Sequence, residues 1–288
     1  MTRMVQADQH DFYHPFRENP AMDQAEVQPH KLSLSVIMPA LNEEANITLA
    51  LQNTLGALDT FKIDAEIIVV NDGSQDRTPD IIKEFEKKDA RVRSIDHDKP
   101  HGIGGAFWEG VDTANNDVVV MLPGDNENDP WEILRYFHLL EHVDIVIPFV
   151  YNREARSLFR NLLSLTYRLI INTTFGVNFN YTNGTVLYRK AIFEKILYRS
   201  SGFFFQTDIL IRSVKRGYLF AEVPYRLGQR IEGKSKAVTY PSLVRVIQGY
   251  LRLFRDFYVK KERKLTGDFA EDSSTSGRYE FNNDRYKT

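Results

Sequence analysis

The sequence predicts an α/β protein: a mainly parallel sheet flanked by helices, with an amphipathic helix near the C-terminus. Three observations point there. Short apolar runs alternate with segments of helical period between residues 32 and 141, the rhythm of βαβ units. The runs "AEIIVV" and "DVVVML" are nearly continuous rather than alternating, as in strands covered on both faces. Each of three runs stops in a polar or acidic loop, "PALNEE", "NDGSQD" or "PGDNEND". A parallel sheet gathers such loops on one rim, at the carboxyl ends of its strands, where ligands sit.

In chain order, "LSLSVIMPA" (32–40) reads as the first strand and "NEEANITLALQNTLGAL" (42–58) as a helix, with Asn42 as its N-cap and acids in its first turn. "AEIIVVNDGS" (65–74) is the second strand, followed by the helix "TPDIIKEFEKKD", capped by Thr78 with Pro79 in first position. "VRSIDH" is a short third strand, "GIGGAFWEGVDTA" a glycine-opened helix, "DVVVMLP" a fourth strand and "DPWEILRYFHLLE" the next helix. From residue 153 the character changes. "REARSLFRNLLSLTYRLIINTTFG" is a long, arginine-bearing helical stretch, "VNFNYTNGTVLYRKAIF" a loop, strand and helix start, and "GFFFQTDILIRSVKRGY" a helix. "LFAEVPYRLGQRIEGKSKAV" is a strand running into a basic loop, and "SLVRVIQGYLRLFRDFYVKKERK" (242–264) an amphipathic helix. The organisation read from this is a loose arm at 1–30, a main domain at 31–240, the amphipathic helix at 241–266 and a polar, disordered tail at 267–288.

Composition narrows the function classes. Hydrophobic residues make up 42% and charged residues 26% of the 288, values of an ordinary globular chain. A formal net charge of −2 gives no reason to expect a nucleic-acid partner. The absence of cysteine excludes disulfides and thiolate metal sites. No apolar core of a signal peptide opens the chain, and no apolar run is long enough to span a membrane. The expected location is the cytoplasm, with peripheral contact at the inner face of the membrane.

Four stretches carry candidate chemistry. In "VVNDGSQDRT" Asp72 ends a strand and is able to accept from a base or ribose, although the same residues suit a turn that caps the next helix. "HGIGGAF" lacks the third glycine of a dinucleotide fingerprint; its free N–H groups, from Gly102 on, are able to receive phosphate, and close packing by Gly104 and Gly105 accounts for it equally well. In "PGDNEND", Asp125 and Glu127 lie two apart and supply hard oxygen ligands for Mg²⁺ or Mn²⁺ bridging two phosphates, whereas Asp129 sits where an N-cap belongs. From Arg226 to Lys264 there are eleven Lys or Arg against three acids, 11 − 3 = +8. Arg226, Arg230, Lys234 and Lys236 fall in a glycine-containing loop, a fit for a phosphate clamp. The helix that follows suits either an anionic membrane surface or core packing.

Together these segments resemble family 2 glycosyltransferases of the GT-A fold, Rossmann-like in its sheet, and within them the dolichyl- or polyprenyl-phosphate mannose synthase branch. The carriers are "SVIMPALNEEANI", "EIIVVNDGSQDRT", "GIGGAFWEG", "VVVMLPGDNENDP", "TNGTVLYRK", "FFFQTDILIRSVKRGY" and "EVPYRLGQRIEGKSK", seven in the family's order over residues 33 to 237. The resemblance implies a metal-dependent, inverting transfer of a sugar from a GDP- or UDP-linked donor to a polyprenyl phosphate. It assigns Pro39, Leu41 and Glu43 to the base and ribose, Asp72 to the base, Asp125 to the second Asp of the Asp-X-Asp metal motif, and Glu127 to a position usually Gln. Asp208 matches an acidic position near the acceptor, the natural general base were the acceptor a hydroxyl. Arg226, Arg230 and Lys234 match the basic loop over the phosphates, with Arg160 and Lys236 further acceptor-phosphate candidates. Three features depart from the pattern. Pro123 stands for the first Asp of the motif, Pro100-His101-Gly102 replaces the usual Asn-Arg/Lys-Gly, and nothing like the relatives' membrane helices follows residue 237. A soluble glycan or small-molecule acceptor, a non-catalytic sugar-nucleotide scaffold, and self-association all remain open on sequence grounds.

Overall fold

The computed structural model describes residues 30–152, 158–182, 184–196, 198–226, 240–260 and 269–285. Seven strands form one sheet: β1 (Leu34–Ala40), β2 (Ala65–Asn71), β3 (Val92–Asp96), β4 (Val118–Met121), β5 (Ile145–Val150), β6 (Leu187–Arg189) and β7 (Phe220–Tyr225). Their order is β3-β2-β1-β4-β6-β5-β7, parallel except for β6, which runs antiparallel to both neighbours. Helices α1 (Ile47–Thr60) and α2 (Thr78–Lys88) carry the chain outward from β1 to β3, and α3 (Ile103–Thr113) returns it to β4 on the other side of β1. The winding therefore reverses between β1 and β4. A reversal of this kind opens a crevice at the carboxyl ends of the two strands, here between Pro39–Ala40 and Leu122–Asp125.

All seven residues of β1 are buried. Val36 and Met38 join one apolar layer with Ile47 and Leu51 of α1, and Ile37 joins the other with Phe107 and Val111 of α3, as the two-residue period of a strand requires. Close approach of α3 to the sheet depends on Gly110, where an added Cβ would lie 2.5 Å from Ile37 Cγ2. Gly104, read from sequence as a packing glycine beneath the sheet, serves elsewhere: a Cβ there would lie 2.3 Å from the Ser200 carbonyl.

Beyond β4 come the short α4 (Pro130–Leu134), α5 (Leu158–Phe175), α6 (Phe205–Arg216), α7 (Tyr240–Tyr258) and α8 (Ser274–Arg285). Three expectations change. Helix α1 starts at Ile47 rather than at residue 43, because Asn42, at φ 55°, and the two glutamates after it bond across to the next loop instead of opening a helix. The helix expected over 129–141 divides into α4 and a 3₁₀ turn at Phe137–Glu141, where the side chains of Arg135 and Tyr136 turn to the Pro224 carbonyl of β7. The tail is not without structure. The buried Asp144 carboxylate, just before β5, accepts the N–H groups of Ser274 and Thr275 at 2.6 and 3.0 Å and so holds the positive end of α8. Residues 1–29 of the expected arm lie outside the described residues.

Candidate functional site

The three polar loops meet on one rim, and hydrogen bonds between them fix their shape. Asn42 N–H donates to Ser74 Oγ at 3.0 Å, and Asn42 Oδ1 accepts from Gln75 N–H at 2.8 Å. Glu43 N–H donates to Thr78 Oγ1, and Glu44 exchanges bonds with Asp76 and Arg77. The loop after β4 is pinned to β1 by Gly124 N–H, which donates to the Pro39 carbonyl at 3.0 Å, and to α1 by Asn53, which bonds Asn126. Pro39 is buried; Leu41 and Glu43 are half-buried beside it. Each loop satisfies its backbone polar groups through its neighbours, so the rim is built before any ligand arrives.

Asp125 and Glu127 stand half-buried on this rim. Asp125 Oδ1 accepts Glu127 N–H at 3.1 Å, with Asn126 between them in the left-handed region at φ 56°. Both carboxylates thus sit on one tight turn. Two hard oxygen donors of this kind fit Mg²⁺ or Mn²⁺, whose remaining positions go to water and phosphate oxygens. Asp129 takes the N-cap position expected of it, accepting Trp131 N–H at 3.0 Å.

Asp72 is buried and heavily engaged. Its Oδ1 accepts His101 N–H at 2.7 Å and meets His97 Nδ1 at 2.8 Å; its Oδ2 accepts Gly102 N–H at 2.9 Å. Three of about four lone-pair positions are therefore used within the chain. The same bonds overturn the expected phosphate seat at Gly102. Its N–H is given to Asp72, and Gly104 N–H is given to the Ser201 carbonyl at 3.0 Å. Gly102 matters through its φ of 84°, which turns the chain into α3 and which a side chain would strain. His97 lies between two carboxylates, its Nε2 2.6 Å from Glu109. Burial works to lower its pKa, but the hydrogen bonds to Asp72 and Glu109 outweigh burial and raise it above the ordinary histidine value.

Asp208 does not occupy an open position at the rim. It is 2% exposed, and its Oδ2 accepts Arg212 Nε at 2.9 Å; Arg212 reaches on to Asp256 of α7 at 2.9 Å. A carboxylate held this way ties α6 to α7, and the geometry gives no support to the general-base role expected of it. Burial would raise Asp256, but hydrogen bonds from Arg212 and Lys260 prevail and hold it below the usual carboxylate range. Arg226 is exposed, with its N–H on Glu132 at 3.0 Å. Arg160 lies in the first turn of α5. Arg230, Lys234 and Lys236 fall outside the described residues.

Sequence reasoning missed Arg168. It lines a pocket of 280 Å³ at the carboxyl end of β5 with Val150, Asn161, Leu165, Asn180 and Tyr181. Only the helical spacing of Arg168 from Leu165 and Leu169 could have singled it out. The helices around the pocket are apolar outward. Leu162, Leu165 and Leu169 of α5 and Leu243, Ile247 and Leu251 of α7 are all exposed, Leu169 to 65%. The two helices touch through Thr174 and Tyr250, hydrogen-bonded at 2.9 Å, and through Phe175 against Tyr250 and Phe257. Of the two readings of α7 on sequence grounds, core packing and an anionic membrane surface, the first is met by Leu253 and Phe257, which are buried. Among the described residues no helix is long and apolar enough to cross a membrane.

The model of the family described as "Glycosyl transferase family 2" matches residues 35–197, more than half of the chain and all of the rim just described. The chain belongs to glycosyl transferase family 2. Among curated members of the family, the undecaprenyl-phosphate 4-deoxy-4-formamido-L-arabinose transferase of Edwardsiella ictaluri is 28% identical over 206 residues, which are 70% of this chain and 62% of that protein. The protein of the same description from Pseudomonas fluorescens is 30% identical over 57% of this chain and 49% of its own length. The chain thus spans about half to three-fifths of the length of these relatives. The fold is also that of a solved enzyme of low sequence identity. Glucosyl-3-phosphoglycerate synthase from Mycobacterium tuberculosis in complex with UDP superposes with a TM-score of 0.61 at 20% identity, covering 78% of this chain and 80% of that one. The same enzyme with Mn²⁺, UDP-glucose and phosphoglyceric acid gives 0.59, also at 20% identity, over 78% and 80%. These structures share the GT-A architecture read from the sequence motifs.

Proposed function

We propose that this chain transfers a sugar from a nucleotide-diphosphate sugar, UDP-linked in preference to GDP-linked, to a polyprenyl phosphate at a membrane surface. The observation that carries the reading is the interlocked rim with Asp125 and Glu127 at the crevice between β1 and β4. Pro39, Leu41 and Glu43 line the nucleoside side. Asp72 keeps one lone-pair position for a base N–H and shapes the loop around it. Asp125 and Glu127 hold Mg²⁺ or Mn²⁺, which when bound supplies Lewis-acid neutralisation of the leaving diphosphate. The UDP in the solved neighbours favours that base, and their Mn²⁺ and Mg²⁺ complexes favour a divalent ion.

On the acceptor side, the undecaprenyl-phosphate relatives and the outward apolar faces of α5 and α7 support a lipid substrate. A phosphate acceptor is ionised near neutral pH and needs no protein base, which agrees with the occupation of Asp208 by Arg212. Arg168, which lines the pocket, would receive that phosphate, with Arg160, Arg226, Arg230, Lys234 and Lys236 as the further cations of the clamp. Positioning and charge compensation are then the chain's share of the catalysis. Attack from the face opposite the diphosphate inverts the anomeric carbon. Arg245, Arg252, Arg255 and Lys260 accompany the apolar stripe of α7, the composition of a helix lying on anionic lipid at the inner face of the membrane.

A soluble acceptor carrying a phosphate is the second reading, favoured by the polar share of the Arg168 pocket. Calorimetry with UDP and GDP, with and without Mn²⁺, followed by turnover with undecaprenyl phosphate or phosphoglyceric acid, separates the cases. Mn²⁺-dependent UDP binding with transfer to the lipid phosphate is the expected result. Transfer to the soluble acid alone moves the acceptor assignment, and no nucleotide binding by folded protein ends the transferase reading.

A further inference from the structure

The geometry points to a second divalent-cation site, apart from Asp125 and Glu127, formed by His97, His101 and Glu109 where β3 passes into α3. One ligand atom from each of the three residues lies within 4.8 Å of the other two, and they are the one such group of three among the described residues. The site takes a borderline cation of the Zn²⁺ class. The inference does not depend on the sugar-transfer reading.

His97 is its centre. The buried Asp72 carboxylate accepts only, so His97 Nδ1 carries the proton of that 2.8 Å contact. In the neutral ring Nε2 is then a lone pair, and it faces Glu109 Oε2 at 2.6 Å. Two acceptors so close need a proton on Nε2 between them; an ion of the Zn²⁺ class would replace that proton, with the Glu109 side chain drawing back to the roughly 3 Å or more that two ligands about 2.0–2.2 Å from a tetrahedral ion require. A carboxylate that fixes the tautomer and turns the other ring nitrogen toward the metal is the outer-shell arrangement of metal-binding histidines. Asp72 supplies that arrangement, and it is itself locked by the N–H groups of His101 and Gly102.

The other two ligands are accessible. The Glu109 side chain is 40% exposed, and His101 is exposed, its ring 4.0 Å from that of His97 at 32°. Two imidazole nitrogens, one carboxylate oxygen and a position open to solvent form a donor set for Zn²⁺, whereas Mg²⁺ prefers oxygen. An ion there would fasten α3 to the end of β3 and, through Asp72, to the nucleotide rim.

The test uses the full chain without an affinity tag, stripped with chelator and free of nucleotide. Zn²⁺ is titrated calorimetrically, and Co²⁺ is followed by its visible spectrum. About one equivalent should bind with a tetrahedral Co²⁺ spectrum. His101→Ala and Glu109→Gln should each weaken binding roughly ten-fold or more, while Asp125→Asn should leave it unchanged. Glu109→Gln can donate its amide to the Nε2 lone pair, so it preserves the contact and the fold, checked by equal melting temperatures of all variants in chelator. Zn²⁺ should raise the melting temperature of the parent chain more than that of either ligand variant. No binding at micromolar Zn²⁺, or equal binding by the parent, His101→Ala and Glu109→Gln, overturns the site and leaves the gap to a proton.

Discussion

The rim built on β1, β2 and β4 and the half built on α5, α6 and α7 are held together by different physics. The rim is closed by short polar contacts. Asn42, Glu44, Ser74, Asp76 and Thr78 bond backbone N–H groups within and across their two loops, Asp72 holds the loop before α3, and Asp125 and Glu127 stand half-buried on the same rim. The other half is an aromatic core around Phe175, Phe204 and Phe257, crossed by a buried ionic chain from Asp208 through Arg212 to Asp256. Its apolar residues continue to the outside. Under the proposed function, the contrast assigns each substrate its chemistry: charge and direction on the rim, for a diphosphate; apolar area with scattered cations on the helices, for a lipid phosphate.

The largest effect is expected where the helical half is weakest against charge. Asp256→Asn leaves Arg212 buried with half its compensation and should cost about 3 kcal/mol, measured by chemical denaturation. UDP binding by the folded variant should change little. The same carboxylate predicts an acid limit. Because its folded pKa lies below its unfolded one, its stabilisation is complete above the ordinary carboxylate value and is lost as pH falls through the depressed folded value. Denaturation between pH 6 and 3 (roughly the span over which a carboxylate titrates) should show a steeper loss in the parent chain than in Asp256→Asn. Equal slopes would remove this pair from the account.

Next in size is the rim itself. Asp125→Ala should lower Mn²⁺-dependent turnover about a hundred-fold without moving the melting temperature by more than a few degrees, since the residue is half-buried on a turn. Unchanged turnover would strike Asp125 from the metal ligands. On the helical half, Leu169→Glu or Leu251→Glu should each weaken cosedimentation with anionic vesicles about ten-fold, the scale of one leucine's burial; vesicle binding that ignores both would place the membrane contact elsewhere. The smallest change is Asn126→Gly, which relieves φ 56° and should alter stability by less than about 0.5 kcal/mol. A large loss there would mean that the Asn53 bond, not the turn, sets the position of Asp125.

Much of the rim was legible because its signals are local. "PALNEE", "NDGSQD" and "PGDNEND" follow strands within a few residues, and parallel winding alone brings such loops to one edge. The basic loop was read in the same local way, and its Arg230, Lys234 and Lys236 fall outside the described residues. Asp208 was given the role of a base although its ion-pair partner Arg212 stands four residues on, at helical spacing in "DILIR". Only the second anchor of that arginine, Asp256, 44 positions further (256 − 212), is hidden from the sequence. Gly102 was misread because the acceptor that claims its N–H is Asp72, 30 residues earlier. Arg168 escaped notice as the second of two arginines on α5; its meaning comes from the pocket beside it.

What the sequence determined by itself was the alternation of strands and helices, the rim on which the acids gather and the family pattern, since these depend on periodicity and on the residues next to each turn. Only the tertiary structure decided which polar groups of the chain meet one another. Asp72 holding two backbone N–H groups, His97 set between Asp72 and Glu109, and Asp144 capping α8 from 130 residues away are pairings across the fold. A buried polar group takes whichever partner packing brings within about 3 Å, and no local pattern encodes that distance.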